Sequence, residues 1–361
     1  MTTITIYAPG YWDYLDSYGL LACQLTRGLT QLGIHVNAVG LGGRVMENQP
    51  RDVRVVTSRP IRPSLGGIVL GYPTGYGYHS ELLYHGPRIA LTMFESTKLP
   101  PGWVEPLNEM DAIITPSKFC AEVFRQCGVT APIRVIPLGI NSEYIYAERP
   151  VDAKTARPLT FLTFLDRGSR KGGILSLQAF VTAFGDDPNY KLIIKGRNKK
   201  NKLNLLNSNV EVIQEDFNDL KLFDLYSRAD ILINPHKGEG FGLIPREFAA
   251  TGGIVLTTDW SGTVDNLEEW GWPIPYTLEP ADWAGHKNLQ GKDLGEWAAP
   301  DKKQLVVILK EVAENIDFYR MKAIMHSYHA RRLYSWPLFA ERVLEVWEEV
   351  NYGYRTRMAA A

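Results

Sequence analysis

The chain has 361 residues, with 39 Lys and Arg against 40 Asp and Glu, a formal net charge of -1, and 45% hydrophobic against 22% charged residues. At roughly 150 residues per domain there is room for about two domains, each able to bury a core without disulfides or metal. The balanced charge excludes a wholly basic nucleic-acid coat and a polybasic membrane anchor, though not a local patch.

Three cysteines, Cys23, Cys120 and Cys127, are too few for a disulfide framework. Cys120 and Cys127 fall on one expected helix, where seven residues span roughly 10 Å, too far for a bridge. This usage points to a reducing, cytoplasmic setting. The start, Met1 to Ile6, has neither a charged leader nor a long apolar run, so no signal peptide is expected. No stretch approaches the roughly 18 apolar residues of a spanning helix. Ala359 to Ala361 read as a vector remnant and are set aside.

In chain order, Ile4 to Ala8 reads as a buried strand, broken by Pro9-Gly10 and an aromatic, acidic loop with Tyr11, Trp12, Asp13, Tyr14 and Asp16. A helix follows from an N-cap at Ser17, with Leu21, Leu25, Leu29 and Leu32 at helical spacing and Gly33 ending it. Ile34 to Val39 is the next strand, which completes a βαβ unit of the kind that builds parallel sheets. Further strands are expected at Val53–Val56, Gly67–Leu70, Ile89–Met93, Ala112–Thr115 and Ile133–Ile136, with a helix from Ser117 to Cys127. The stretch from Leu138 to Pro158 loses periodicity.

The pattern restarts with a strand at Thr160–Leu165 and a helix at Gly173–Phe184. Strands at Leu192–Ile194 and Val210–Ile213, a helix at Leu220–Ser227 and a strand at Ile231–Ile233 follow. A glycine-rich loop then leads to a helix at Pro245–Thr251 and a strand at Ile254–Leu256, and from Lys302 to about Val350 the pattern is purely helical. The expected class is α/β, with two successive Rossmann-like domains. In such sheets ligands sit at the carboxyl ends of strands.

The most informative loop is Pro235 to Glu247, reading PHKGEGFGLIPRE. Its alternating glycines, Gly238, Gly240 and Gly242, let a ligand approach the backbone, and the helix start beyond them favours phosphate. Glu239 and Glu247 flank that anion site, and carboxylates there suit hydroxyl groups. The combination predicts phosphates with polyols at both ends, as in a nucleotide sugar. Taken alone, the loop is equally a glycine-rich turn with Glu239 in solvent and Glu247 on the helix dipole. A second loop, Asp166 to Gly173, also follows a strand and leads into a helix, and its Arg and Lys residues suit a diphosphate, although taken alone it reads more simply as a solvated basic turn.

Glu239 and Glu247, separated by seven residues within a Glu-Gly-Phe-Gly-Leu run, resemble the signature of the retaining glycosyltransferases of family 4, which have the GT-B fold. The resemblance extends to Ala229-Asp230-Ile231 with Asn234-Pro235, Thr115-Pro116-Ser117, Val135 to Asn141, Arg170-Lys171-Gly172 and Ser335-Trp336. It implies an N-terminal acceptor domain over 1–140, a linker over 141–158 and a nucleotide-sugar donor domain over 159–335. It also implies a helix over 336–358 that returns to the first domain, with the two domains facing across a cleft.

By that resemblance Glu239 holds donor-sugar hydroxyls, the backbone of Gly240, Phe241, Gly242 and Leu243 lines the sugar and diphosphate, and Glu247 accepts from ribose. Arg170 and Lys171, with Arg167 sharing, neutralise the leaving diphosphate, and Tyr18-Gly19 faces it from the other domain. Many members carry a histidine after the strand expected at Ile89–Met93. Here Glu95 stands at or beside that position, approaching the donor sugar or acceptor hydroxyl, or else capping the next turn. The catalytic set is then Glu239, Glu95, Lys171 and Arg170.

The expected reaction moves a sugar from a UDP- or GDP-sugar to a hydroxyl with retention. No Asp-x-Asp pair occurs, and His79, His85 and His236 lack metal-ligand spacing, so no metal or cofactor is expected. The general base is not identified.

Tyr11, Trp12, Tyr14 and Tyr76 are the acceptor candidates, because aromatic faces stack on sugars, though also on bases. Residues 1–140 hold 11 Lys and Arg against 10 Asp and Glu, a balance of +1, which favours a saccharide or small molecule. A modified base in DNA is the alternative acceptor, with Lys195, Arg197, Lys199, Lys200 and Lys202 as a basic run that reads more simply as a solvated loop. A sugar-nucleotide epimerase or phosphorylase and a non-catalytic two-lobed binding protein are the competing classes.

Overall fold

The computed structural model describes residues 2–9, 17–41, 49–73, 86–141, 157–165, 169–197, 207–284, 286 and 288–360. In chain order the first elements are β1 (Thr3–Pro9), α1 (Ser17–Gln31), β2 (His35–Leu41), α2 (Arg51–Thr57), β3 (Gly67–Leu70), β4 (Arg88–Leu91), α3 (Val104–Asn108), β5 (Ala112–Thr115), α4 (Lys118–Gln126) and β6 (Ile133–Val135). They are followed by β7 (Leu159–Leu165), α5 (Gly173–Phe184), β8 (Tyr190–Gly196), β9 (Val210–Gln214), α6 (Asp219–Arg228), β10 (Ile231–Asn234), α7 (Leu243–Ala250) and β11 (Ile254–Thr258). The last are β12 (Trp272–Ile274), β13 (Tyr276–Pro280), β14 (Glu296–Pro300), α8 (Lys302–Glu314), α9 (Ile316–Leu333) and α10 (Trp336–Ala360).

The chain divides into two compact units. One holds Met1–Phe94, Leu99–Gly139 and Tyr334–Ala361, and the other Glu95–Lys98 and Ile140–Leu333. In the first unit six parallel strands run in the order β2-β1-β3-β4-β5-β6. Its strands β3 and β5 are buried throughout, as both-face coverage of a parallel sheet requires. Ser117 caps α4, its side chain accepting from the Cys120 amide at 3.3 Å. The final helix, α10, belongs to this unit and packs against α1. Cys23, Cys120 and Cys127 are unbridged thiols.

The second unit has six parallel strands in the order β12-β11-β10-β7-β8-β9. One face of this sheet packs Phe161, Leu192, Ile194, Ile231, Ile233, Ile254 and Leu256 against Phe180 of α5, Leu305, Leu309 and Val312 of α8, and Ala323 of α9. Each fully buried side chain of this kind contributes about 1.5–3 kcal/mol relative to exposure.

The α/β reading holds, with local corrections. Val53–Val56, expected as a strand, lies within the helix α2. Val53 and Val56, three apart, are buried while Val55 between them is 52% exposed, which is a helical face and not an alternating one. Asp52 on the same helix pairs with Arg27 of α1 at 2.6 Å, so packing overrides the strand preference of a valine-rich run. The short helix α3 and the strands β12, β13 and β14 carry no clear periodicity in the sequence. β13 and β14 form a separate antiparallel pair. The helical tract from Lys302 divides between the units, and α10 continues to Ala360.

Candidate active site

In the second unit the sheet runs outward from β7 through β8 to β9 on one side, and from β10 through β11 to β12 on the other. The strand order therefore reverses between the neighbours β7 and β10, and ligands bind outside the carboxyl ends of strands at such a point. The loops after these two strands are the two singled out in the sequence.

After β7, Arg170 and Lys171 form a turn that enters α5 through Gly172. Gly172 is left-handed at φ +70°, and a Cβ there would lie 2.0 Å from the Pro235 carbonyl oxygen of the other loop. Only glycine combines that backbone with that approach. The two loops are stitched together: the Lys237 amide donates to the Arg170 carbonyl at 2.7 Å, and Arg170 Nη1 donates to the Gly238 carbonyl at 2.6 Å.

These contacts gather four charges. Lys171 Nζ lies 2.5 Å from Glu239 Oε1, and Arg170 Nη1 lies 3.7 Å from Glu239 Oε2 and 3.8 Å from Glu95 Oε1. Glu95 arrives on the short segment Glu95–Lys98, which belongs to this unit. The segment is tied to it by the Thr97 amide donating to Glu296 O at 3.0 Å and the Lys98 amide donating to Leu294 O at 3.2 Å. A Cβ on Gly238 would lie 2.0 Å from the Glu95 carbonyl oxygen, so the residue beside Glu239 must be bare for Glu95 to reach the cluster.

The two carboxyls have different characters. Burial pushes the Glu239 carboxyl up, but Lys171 and Arg170 outweigh it and bring its pKa to about 2, so it is ionised at ordinary pH. Burial raises Glu95, with Arg170 pulling down and Glu239 pushing up. Glu95 Oε2 is buried and accepts no hydrogen bond from the described residues.

Glu239 is further fixed by its backbone. Its amide donates to Ser261 Oγ at 3.0 Å, and its carbonyl accepts from the Gly262 amide at 2.8 Å. Ser261 is itself left-handed at φ 65°, a strained non-glycine position of the kind concentrated at functional sites. Arg246, fully buried, donates to the carbonyls of Phe241 and, at 3.0 Å, of Gly262, and its guanidinium lies 4.1 Å from the Phe241 ring centre and 4.5 Å from that of Trp270. A planar, permanently charged fork suits this role.

Gly240, Phe241 and Gly242 lead into α7, whose first residue is Leu243. Gly242 offers no side chain to cap the first-turn amides. The helix starts two residues earlier than expected. Pro245 sits at its third position, which is tolerated because the first four amides have no intrahelical acceptor. Glu247, one turn further on, is buried and accepts from Tyr226 Oη at 3.0 Å. Burial raises its pKa to about 8, with Tyr226 pulling down and Asp219 pushing up.

In the first unit Tyr18 and Gly19 occupy the first turn of α1, where Tyr18 Oη lies 3.4 Å from Thr92 Oγ1 and accepts from the Met93 amide at 3.4 Å. Arg167 and the acceptor candidates Tyr11, Trp12, Tyr14 and Tyr76 lie outside the described residues, as do Lys199, Lys200 and Lys202. Lys195 is not on a solvated loop. It is buried at the end of β8, donating to the Gly196 and Glu215 carbonyls at 2.7 Å each, with Phe217 4.5 Å away. Among the described residues no group of three or more His, Cys, Asp or Glu is placed to hold a metal, and no helix is long and apolar enough to cross a membrane.

Sequence reasoning missed Arg246, Tyr226 and Ser261. Arg246 follows Pro245 in the helix and reads as an ordinary surface charge. Tyr226 lies 21 residues before Glu247, with nothing local to link them.

Comparison with known proteins places this geometry. Residues 149–276 match the model of the group 1 glycosyl transferases, and residues 63–144 that of glycosyltransferase family 4. Among solved structures, a sucrose-phosphate synthase from Thermosynechococcus elongatus is 15% identical with a TM-score of 0.68, over 99% of this chain and 100% of that one. An α,α-trehalose 6-phosphate synthase from Burkholderia multivorans is 10% identical at 0.65, over 100% of both chains. WaaG, a glycosyltransferase involved in lipopolysaccharide biosynthesis, is 15% identical at 0.61, over 96% of this chain and 99% of that one. No curated protein sequence matches. The two parallel six-stranded sheets and these neighbours define a GT-B fold of two Rossmann-like domains, and with the family matches they define a glycosyltransferase. Both matches and the fold support an enzyme of the family 4 type.

Proposed function

We propose that this glycosyltransferase takes a sugar from a UDP- or GDP-sugar and transfers it to an acceptor hydroxyl with retention of anomeric configuration and without a metal ion. The observation that carries the reading is the Arg170–Lys171–Glu239–Glu95 cluster at the strand-order reversal, with the buried Glu247 on the helix that follows the loop.

Burial shifts Glu95 toward its neutral form, which weakens its hold on Arg170 and leaves Arg170 and Lys171 more of their charge to offer a diphosphate. Arg170 and Lys171 then stabilise the negative charge that develops as the bond between sugar and diphosphate breaks, an electrostatic role that needs no metal. Glu239, ionised and locked by Ser261 and Gly262, accepts from hydroxyls of the transferred sugar. Glu247, neutral below its pKa of about 8, can both accept from and donate to the ribose hydroxyls. The acceptor is a saccharide or small molecule. The burial of Lys195 removes one charge from the basic run that favoured DNA.

A panel of UDP- and GDP-sugars tested for thermal stabilisation and slow hydrolysis identifies the donor, and the anomeric configuration of the released or transferred sugar reports the stereochemistry. Turnover is expected to survive a chelator. Stabilisation without any hydrolysis or transfer would turn the reading toward a binding protein.

A further inference from the structure

The helix α9 has two apolar faces. On its inner face Tyr319, Ala323, Ser327 and Ala330 are buried, and the helix packs against α7 and β11. Its outer face carries Phe318, Met321, Met325 and Tyr328, each more than half exposed. Their spacing of three, four and three residues is the narrow seam of a helix that packs on another helix. Single exposed apolar residues are ordinary, but four in one row along a helix mark an interaction surface.

The row is symmetric. Phe318 and Tyr328 lie five residues to either side of Ala323, and Met321 and Met325 lie two to either side. Two copies of α9 laid antiparallel about Ala323 therefore set Phe318 against Tyr328 and Met321 against Met325, once on each side of a two-fold axis. The aromatic pairs close the ends of the seam, and the unbranched methionines fill its middle.

The charges fit the same orientation. Asp317 stands largely exposed at the start of the helix, 3.8 Å from Arg320, and Arg331 and Arg332 lie in the last turn. Antiparallel pairing brings Asp317 of each copy to the Arg331–Arg332 end of the other and opposes the two helix dipoles, whereas parallel pairing sets like charge beside like. Lys322 flanks the axis in both copies, and its long stem lets the ammonium turn to water.

A lipid surface suits this face less well. An interfacial helix shows a broad apolar face with cations along its polar side. Here the apolar row is narrow and Asp317 lies at its edge. Two of the cations point into the protein, Arg320 donating to Asp230 at 3.2 Å and Arg331 to the Ala250 carbonyl at 2.9 Å.

We propose that the outer face of α9 is a homodimer interface, in which two copies of this chain pair antiparallel through Phe318, Met321, Met325 and Tyr328. The row spans about three helical turns, a small interface, so the dimer should dissociate with a constant on the order of 10 μM.

Sedimentation of the full chain across roughly 1–200 μM should show a monomer–dimer equilibrium. Met325→Glu sets a carboxylate against Met321 of the other copy and should weaken association at least about tenfold. Met325 is exposed in the single chain, so the melting temperature of the dilute protein should not change. Asp317→Arg should weaken the dimer, and adding Arg332→Asp should restore it. If Met325→Glu fails to fold, cysteine pairing decides: under oxidation a mixture of Met321→Cys and Met325→Cys proteins should crosslink faster than either alone. A chain that stays monomeric to about 200 μM, a dimer that Met325→Glu leaves intact, or crosslinking that is fastest within one variant overturns the proposal. A monomer that floats with phosphatidylglycerol vesicles and loses that binding in Met325→Glu also overturns it and assigns the face to a membrane.

Discussion

Glu247 gives the sharpest test of the electrostatic picture. Its carboxyl is buried with one hydrogen-bond partner, Tyr226 Oη at 3.0 Å, and titrates near 8 in the fold against 4.5 in the unfolded chain. A carboxyl raised in this way contributes its full stability below the unfolded value and loses it as pH rises through the folded value. Between those limits the folded group holds a proton that the unfolded one has released, and each pH unit costs about 1.4 kcal/mol. From pH 5 to pH 7 the loss is roughly 2.5 kcal/mol. Glu247→Gln supplies a neutral group of the same shape that still accepts from Tyr226, and it should abolish that loss. Urea unfolding of ligand-free wild type and variant at pH 5, 7 and 8.5 measures the difference directly. Other titrating groups cancel because both proteins share them. The variant should gain on the wild type by roughly 2.5 kcal/mol between pH 5 and 7 and gain further toward pH 8.5. Parallel stability curves for the two proteins across pH 5–7 would refute the assignment of a neutral, desolvated Glu247.

Arg246→Lys keeps the charge but loses the planar fork over Phe241 and Trp270 and leaves one of the two main carbonyl contacts unmet. A stability loss of about 2–3 kcal/mol is expected by urea unfolding, and a loss below about 0.5 kcal/mol would mean that the guanidinium does not brace the loop. Gly238→Ala sets a methyl 2.0 Å from the Glu95 carbonyl oxygen, and the displaced loop should lower donor turnover on the order of 100-fold; an unchanged kcat would sink that account of the close approach. Glu95→Ala removes the group beside Arg170 whatever its protonation, and turnover should fall about tenfold or more, the value of about one polar contact. Undiminished turnover removes Glu95 from the site.

Much of this architecture was legible in the order of the residues. Helix caps and breakers such as Ser117 and Gly33, and the apolar runs that became β3, β5 and β10, are local signals whose physics acts within a few residues. The glycine-rich loop and the Arg170-Lys171 turn announced themselves because close backbone approach and phosphate chemistry restrict residue type at each position. Val53–Val56 misled because a valine-rich run has the same composition on a helix face as in a strand, and only packing against the neighbouring elements selects between them.

What the tertiary structure alone decided is which charges meet and which are dry. Glu95 and Arg170 are 75 residues apart, Tyr226 and Glu247 are on different helices, and Arg246, His236 and Lys195 look like ordinary polar residues in a string of letters. Their ionisation depends on burial and on partners brought together by the reversal of strand order between β7 and β10, and neither is a property of local sequence. The composition sets a net charge of -1. The fold turns part of that near-neutral balance into a concentrated site in which Glu239 is ionised near pH 2 and Glu247 stays protonated to about 8.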